Sequence, residues 1–383
     1  MLITENTTID TSLAFPRLEL GISRTEQLQP ITTVTTACER LTQLGCEPPP
    51  PMSLLDLPAE LLHEIAGYLP DLHSTFEATI LGDVRPGEYA RVDALRALAQ
   101  SCRRLRAELL PLQWRTARAY FTARNLRRKP RTREKMLERR MARLRRAAYL
   151  HPFVQTLAVT LDECTEDNWH GLVAFVRVLD ALPRLQSVVI IALPPDAAKL
   201  LATALEGKSF PNIRHLTMPA HGHVLRVLRA VPGLRALTLG DGLSLILRPS
   251  AAEIAAACPG LRALNNVFPG TNADEARQLF AALHAHFPRV ERMMLNGRFG
   301  ADALRSLRPF AALRELAIRY RGPSAWERAE DVPTPGELLR VLRLTFAARA
   351  GGTLRATVEV LPTPTGEWNP DVNLVERVQV AEM

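Results

Sequence analysis

A short pattern, Pro-x-apolar-x-x-apolar-x-apolar, recurs through the second half of the chain and constrains its fold more than any other feature. Clear copies run from Pro183 to Ile190 and from Pro232 to Leu239. One later copy has alanine in place of proline, and the last copy is weak. The first apolar residues occupy positions 154, 185, 213, 234, 261, 290, 313 and 354. Because so small a unit can bury its apolar residues only against neighbouring units, the recurrence predicts a stack of short strands.

The spacing of the copies indicates what each unit contains. Their first apolar residues are 31, 28, 21, 27, 29, 23 and 41 residues apart, and helix-like stretches such as 169–182 fill the gaps. The region resembles leucine-rich repeats, whose units are 20 to 29 residues long. This resemblance implies an α/β solenoid over residues 150–362. An ordinary α/β domain with parallel strands is the alternative.

The copies depart from the leucine-rich repeat in one respect. That family places Asn or Cys three residues after the last strand leucine, where its side chain forms a ladder. The corresponding residues here are Asp162, Leu193, His221, Gly242, Arg298 and Arg321. Without a repeated side chain at this position, we expect an irregular repeat geometry.

Residues in each copy are numbered here from its first apolar position. Positions one, four and six should face the core, which leaves positions two, three and five on the concave strand face. Position two holds Gln155, Gln186, Arg214, Arg235, Arg262, Glu291, Arg314 and Arg355. Arg214, Arg235 and Arg262 would form a basic row suited to an acidic or phosphorylated target segment. Exposed arginines that serve solubility alone are the alternative.

A second pattern precedes the repeats. Leu57-Pro-Ala-Glu-Leu-Leu62 predicts a short amphipathic helix that starts at Pro58 and ends at Pro70. Its apolar face holds Leu61, Leu62, Ile65 and Leu69, and a second stripe of helical period holds Leu95, Leu98, Cys102, Leu105 and Leu109. Because so small a unit cannot bury all of its apolar surface internally, some of that surface must meet something else.

These residues resemble the F-box, a helical module that docks on the Skp-type adaptor of a cullin-RING ubiquitin ligase. The match rests on Leu57 to Leu62, Tyr68 to Pro70, Cys102 to Leu105, and Trp114, and it departs in a polar insert at 72–92. The resemblance implies an all-α module over 52–114. It also implies adaptor binding through Leu57, Pro58, Leu61, Leu62, Ile65, Leu69, Leu98, Cys102, Leu105 and Trp114. An ordinary helical hairpin whose stripes face its own core is the alternative.

The positive charge of the chain is concentrated between Arg115 and Arg146. Fourteen Lys or Arg against two Glu give this segment +12, whereas the whole chain carries +8. We predict a basic helical linker over 115–149, interrupted at Pro130. It could serve as a nuclear-import signal, as a site for nucleic acid or another polyanion, or only as a solvated linker.

The remaining segments carry fewer signals. Residues 1–51 are rich in Thr, Gln and Pro and predict a disordered N-terminal tail, and 363–383 is assigned to a C-terminal tail. Five scattered cysteines favour reduced thiols in the cytoplasm or nucleus. No apolar run approaches the ~18 residues of a membrane span, so we expect no membrane partner.

No grouping of residues indicates catalysis. The chain lacks a phosphate-binding loop, a dinucleotide fingerprint and a Gly-x-Ser-x-Gly elbow. His221-Gly-His223 has no accompanying ligands of the kind a zinc site needs. We therefore expect no catalytic residue, no metal and no cofactor.

The sequence predicts an α/β fold class, with a small all-α F-box module followed by an irregular leucine-rich-repeat-like α/β solenoid. The function implied is that of a non-enzymatic substrate-recognition subunit of an SCF ubiquitin ligase. Its partners would be a Skp-type adaptor, through it a cullin, and an unidentified target protein. The alternative is a non-catalytic nuclear or nucleic-acid-associated interaction scaffold.

Overall fold

The fold was determined from a computed structural model. The structure describes residues 57–68, 90–119, 130–161, 164, 169–220, 222–240, 243–270, 272–297, 299–321, 335–346, 354–361 and 377–380. The described strands form one ten-stranded sheet in which every strand lies beside its neighbours in the sequence. The mixed α/β class predicted from the sequence is therefore confirmed.

From residue 116 to residue 361 the described α-helices alternate with the strands. The helices are α1 (Ala59–Tyr68), α2 (Ala90–Ser101), α3 (Arg103–Trp114), α4 (Pro130–Arg146), α5 (His170–Ala181), α6 (Pro195–Ala204), α7 (Val224–Arg229), α8 (Leu243–Ala257), α9 (Ala273–His286), α10 (Ala301–Arg305) and α11 (Pro335–Phe346). The strands are β1 (Thr116–Ala119), β2 (Thr156–Val159), β3 (Ser187–Ile190), β4 (His215–Met218), β5 (Ala236–Leu239), β6 (Ala263–Val267), β7 (Arg292–Gly297), β8 (Glu315–Arg321), β9 (Arg355–Leu361) and β10 (Arg377–Val380). A 3-10 helix (Ala148–Phe153) precedes β2.

Strands β1 to β9 are parallel, and β10 runs antiparallel to β9. One described α-helix lies between each pair of successive parallel strands, because a parallel connection requires a crossover. The register keeps equivalent positions side by side, so that Val188 pairs with Leu216 and Leu216 with Leu237. Each position of the sequence pattern therefore forms a column across the sheet.

The apolar positions of the pattern form one continuous core. In β5 and the residue that leads into it, Leu234, Leu237 and Leu239 are fully buried, and they belong to the same cluster as helix residues such as Leu228 and Ile254. The same cluster extends from Ala117 on β1 to Val358 on β9. Positions one, four and six thus face the core, as predicted.

The repeat geometry is irregular at β6. The register between β6 and β7 shifts between Leu264 and Val267, because Asn266 adopts a left-handed backbone with φ of 63°. The Asn266 side chain donates to the Leu239 carbonyl at 2.7 Å and accepts from the Asn296 amide at 2.6 Å. A short ladder of asparagines therefore exists here, which the spacing of the copies does not predict.

The first strand of the sheet differs from the sequence prediction. The prediction of a helix over 115–149 is wrong at 116–119, which form β1. The Arg115 carbonyl accepts hydrogen bonds from the Gln155 and Thr156 amides at 2.9 and 3.0 Å, as in the other repeats. Trp114 then occupies position one of an additional copy. The pattern does not reveal this copy, because the copy lacks the proline and has alanine at positions four and six.

The basic helix α4 is part of the folded core. Its inner face buries Leu137, Met141 and Leu144 in the main cluster. Glu134, only 5% exposed, accepts a 3.4 Å hydrogen bond from the Gly171 amide in the first turn of α5. The interpretation of this stretch as a solvated linker is therefore wrong for 130–146, because one side of the helix packs like the helices of the later repeats.

The last repeat and the chain end also differ from the prediction. Arg355 pairs with Glu315, so it lies at position three of the pattern instead of position two. Residues 377–380, assigned to a C-terminal tail, form β10, in which Val378 pairs with Val358. Four residues with alternating valines gave too short a signal for a strand to be predicted.

We predict that Gly297 cannot be replaced without loss of stability. Its φ is +108°, and a β-carbon at this residue would overlap the ring of Phe268. The substitution Gly297→Ala should lower the free energy of unfolding by about 2 kcal/mol, from backbone strain and crowding. Urea unfolding followed by circular dichroism measures the change.

The matched control is Gly222→Ala, because a β-carbon at Gly222 meets no atom within 4 Å. This variant should unfold within about 0.5 kcal/mol of the unmodified chain. Equal effects of the two substitutions would contradict the packing described at β7.

Candidate functional site

Helix α1 has one face packed inward and one face left in solvent. Leu62 and Ala66 are buried, with 4% and 3% of their surface exposed. Leu61 and Ile65 are 44% and 46% exposed. Because residues four apart lie on consecutive turns, Leu61 and Ile65 form one apolar surface on the outside of the helix.

Contacts with α3 hold α1 in place. The His63 Nε2 atom lies 3.2 Å from the Glu108 carbonyl oxygen and 3.8 Å from a carboxylate oxygen of the same residue. Leu105 and Leu109 of α3 are buried, as is Leu95 of α2. The inward side chains therefore stabilise the three helices themselves, and the outward pair on α1 takes no part in that packing.

The other predicted adaptor-binding residues lie in varied environments. Leu57 is half-buried and Pro58 exposed, one residue before α1 begins, and Leu98 is half-buried. The Cys102 thiol sulfur accepts the Leu105 amide at 3.4 Å and caps α3. Trp114 packs against the core of the sheet. Leu69 lies outside the described residues.

The predicted arginine row exists as a column of the sheet. The Arg235 amide donates to the Arg214 carbonyl, and the Arg262 amide donates to the Arg235 carbonyl, each at 2.8 Å. The three residues therefore occupy equivalent places just before β4, β5 and β6. Arg115 extends the same column at its start, where its Nε donates to the Gln155 side chain at 3.1 Å.

The three guanidinium groups differ in what they already contact. Arg214 donates from Nη1 to the Gly233 carbonyl at 3.0 Å. Arg262 forms an ion pair with Glu291 of the next repeat. Arg235 is exposed and has no side-chain partner among the described residues. Within this row, Arg235 is the arginine best placed to pair with an external acidic group.

The outer face of α4 carries a set of exposed cations. They are Lys135, Arg139, Arg143, Arg145 and Arg146. In other helices cations pair with acids on the same helix, as Arg277 does with Asp274 and Arg305 with Asp302. Among the described residues no ion pair of this kind neutralises the five cations of α4, so this face remains strongly positive.

The described residues offer few side chains for nucleophilic or metal-binding chemistry. The Cys258 thiol is buried and lies 3.8 and 3.9 Å from the carbonyl oxygens of Leu228 and Val231. Burial raises the pKa of this thiol to about 12, so it is not a thiolate at neutral pH. The described residues contain no cluster of three or more His, Cys, Asp or Glu that could hold a metal ion.

Among the described helices, none combines the length and the apolar composition that a membrane span needs.

Comparison with known families supports the assignment of the helical module. Residues 33–142 match a family described as an F-box-like domain. This span contains α1, α2, α3, β1 and most of α4. The presence of an F-box-like domain is therefore confirmed, and the match is longer than the predicted 52–114 and includes a strand. A comparison with curated proteins finds no significant match. The matched span ends before β2, and the leucine-rich-repeat resemblance therefore stays a prediction.

Proposed function

We propose that the chain is a substrate-recognition subunit of an SCF ubiquitin ligase. In this proposal, the outer face of α1 binds a Skp-type adaptor and, through it, a cullin, while the repeat region binds a target protein. Such a subunit performs no chemistry. It raises the effective concentration of target lysines near the ligase, which is a positioning effect.

The observation that carries the proposal is the exposure of Leu61 and Ile65 within the F-box-like span. Burying a leucine or isoleucine side chain contributes about 1.5–3 kcal/mol of stabilisation. This stabilisation is largely absent while Leu61 and Ile65 stay exposed to water. A partner that covered the outer face of α1 would gain this free energy from both side chains. The inward residues Leu62 and Ala66 keep the helix folded in the absence of that partner.

The repeat region supports the second half of the proposal. Nine described parallel strands follow one another in sequence order, with one described α-helix between each pair. We infer from this order that the region is an irregular leucine-rich-repeat-like solenoid, in which each unit contacts only its neighbours. Solenoids of this kind present extended surfaces on which a protein segment can lie.

We predict that replacing Leu61 and Ile65 by alanine weakens adaptor binding well over tenfold. Each anchor of this type contributes on the order of 2 kcal/mol, and ~1.4 kcal/mol corresponds to a factor of ten. Binding of purified chain to a Skp-type adaptor, measured by calorimetry, tests this. The thermal midpoint of the variant should stay unchanged, because neither side chain is buried.

Leu344→Ala provides the control for this experiment. Leu344 is 70% exposed on α11, far along the sequence from the F-box-like span. This variant should bind the adaptor as the unmodified chain does. If the Leu61/Ile65 variant also retained full affinity, the receptor proposal would be wrong.

The arginine row is the proposed target-binding surface, and Arg235 should contribute most of its affinity. A free guanidinium can form a bidentate pair with a carboxylate or phosphate, whereas Arg262 must first leave Glu291. We expect Arg235→Glu to lower the amount of target bound to the chain nearly as much as the triple Arg214/Arg235/Arg262→Glu variant does. Quantitative mass spectrometry of adaptor-bound complexes from proteasome-inhibited cells measures the loss.

Arg289→Glu is the matched control, because Arg289 is also exposed but lies outside the row. Proteins that disappear with Arg235→Glu and persist with Arg289→Glu are the candidate targets. An identical set of captured proteins for both variants would exclude the row as the target-binding surface.

A scaffold that binds nucleic acid is the second candidate function, favoured by the unpaired cations on α4. It would show affinity that falls steeply with salt, because phosphate contacts release counterions. It would not depend on Leu61 or Ile65. The adaptor experiment and a salt titration with duplex DNA therefore separate the two candidates.

A further inference from the structure

The outer face of α4 carries its exposed cations in a line along the helix. Lys135, Arg139, Arg143 and Arg146 are all exposed and follow one another at intervals of four, four and three residues. Residues three or four apart lie on the same side of an α-helix, on consecutive turns. At a rise of ~1.5 Å per residue, these four residues are about 6, 6 and 4.5 Å apart along the helix axis. We call them the basic stripe, and Arg145 is exposed beside it.

The opposite side of α4 fixes the direction in which the basic stripe faces. Leu137, Met141 and Leu144 are buried in the main cluster, and Glu134 accepts a hydrogen bond from the Gly171 amide at the start of α5. The cations are therefore presented on a helix that is already folded and packed. A partner can bind them without the entropic cost of ordering the backbone of α4.

Neighbouring helices mix the signs of their exposed charges, whereas α4 does not. On α5 the exposed charged residues include Arg177 and Asp180, and on α9 Arg277 pairs with Asp274. The exposed acid in the described part of α4 is Glu138, and no ion pair between described residues joins it to the basic stripe. Exposed charges of mixed sign are sufficient for solubility. Solubility alone therefore does not require the basic stripe.

The basic stripe is unfavourable for the helix that carries it. Like charges four residues apart destabilise a helix, and Lys135, Arg139 and Arg143 follow one another at this spacing. The helix dipole favours cations in the last turn, which accounts for Arg143 and Arg146. It does not account for Lys135 and Arg139, which lie before the last turn. A partner of negative charge would replace this repulsion with attraction.

The spacing and composition of the basic stripe suit carboxylates on another helix. Asp or Glu residues at intervals of four, four and three on a partner helix are also about 6, 6 and 4.5 Å apart, so each can face one cation. Arginine binds a carboxylate with two parallel hydrogen bonds. Proteins that bind nucleic-acid backbones use Ser, Thr, Asn, Gln or Tyr side chains as well as cations. Residues 134–146 contain none of these five types, which favours an acidic helix over nucleic acid.

We propose that the basic stripe is a docking surface for an acidic helical segment of a partner protein. The two helices lie side by side, and each carboxylate of the partner pairs with one cation of the basic stripe. This surface is separate from Leu61 and Ile65 on α1 and from the arginine row before β4, β5 and β6. The proposal therefore goes beyond the proposed function and does not depend on it.

Two helical peptides of identical composition test the geometry of the basic stripe. The aligned peptide has four glutamates at positions i, i+4, i+8 and i+11, and the scattered peptide has the same four distributed around the helix. Fluorescence anisotropy measures the affinity of each peptide for the full chain at low ionic strength. Arg139→Gln/Arg143→Gln removes two charges and keeps long polar side chains of good helix propensity. Arg277→Gln/Arg305→Gln is the matched control, because both arginines are exposed on other helices and pair with acids there.

The aligned peptide should bind the unmodified chain about tenfold or more tightly than the scattered peptide, because four ion pairs form together instead of one or two. Arg139→Gln/Arg143→Gln should lose most of this preference, and the control variant should keep it. The preference should also shrink at high salt, since exposed ion pairs are screened. The thermal midpoint of Arg139→Gln/Arg143→Gln should be no lower than that of the unmodified chain, because repulsion between like charges has been removed.

Three results would overturn the proposal. The chain could bind neither peptide, or both equally, as expected of a surface that responds to net charge alone. A short DNA duplex could bind more tightly than the aligned peptide and lose that affinity in Arg139→Gln/Arg143→Gln, which would assign the basic stripe to nucleic acid. A lower thermal midpoint for that variant would assign the two arginines to contacts within the fold. Adaptor binding does not enter these measurements, so failure of the ligase proposal would leave the result unaffected.

Discussion

The burial of three apolar residues per repeat is the interaction on which the rest of the structure depends. Each buried leucine contributes roughly 1.5–3 kcal/mol, and every described strand except the first and the last has a neighbouring strand on both sides. The stack therefore needs a different ending on each side. At one end β10 reverses direction and pairs with β9. At the other, β1 offers the smaller residues Ala117 and Ala119 to the core, and the basic helix α4 covers them.

Much of this architecture follows from the sequence, because the regular copies repeat large apolar residues at fixed spacing. The copies that were missed or misplaced lack that signal. β1 has alanines where leucines are expected, and the register of β9 was misjudged by one residue because the last copy is weak. The sequence did not distinguish a helix that packs on a sheet from a solvated one at α4. There the apolar residues Leu137, Met141 and Leu144 were obscured by the many arginines around them.

At the candidate sites, prediction from sequence is limited in a different way. A helical stripe predicts which residues share a broad face, but Leu61 and Leu62 are adjacent in sequence and point about 100° apart. Their opposite burial depends on where α3 lies, which no local pattern encodes. Likewise the equivalence of Arg214, Arg235 and Arg262 was predictable from spacing, whereas the ion pair that occupies Arg262 was not.

The junction between α3 and β1 has a mechanical consequence. Arg115 is both the residue that ends α3 and the residue whose carbonyl binds the start of β2. Arg115 alone separates α3 from β1, the first strand of the sheet that also carries the arginine row. Under the proposed function, the distance between the adaptor-binding helices and the bound target would depend on this short junction. Selection among target lysines would then depend on their location in space as well as on the affinity of the segment that is bound.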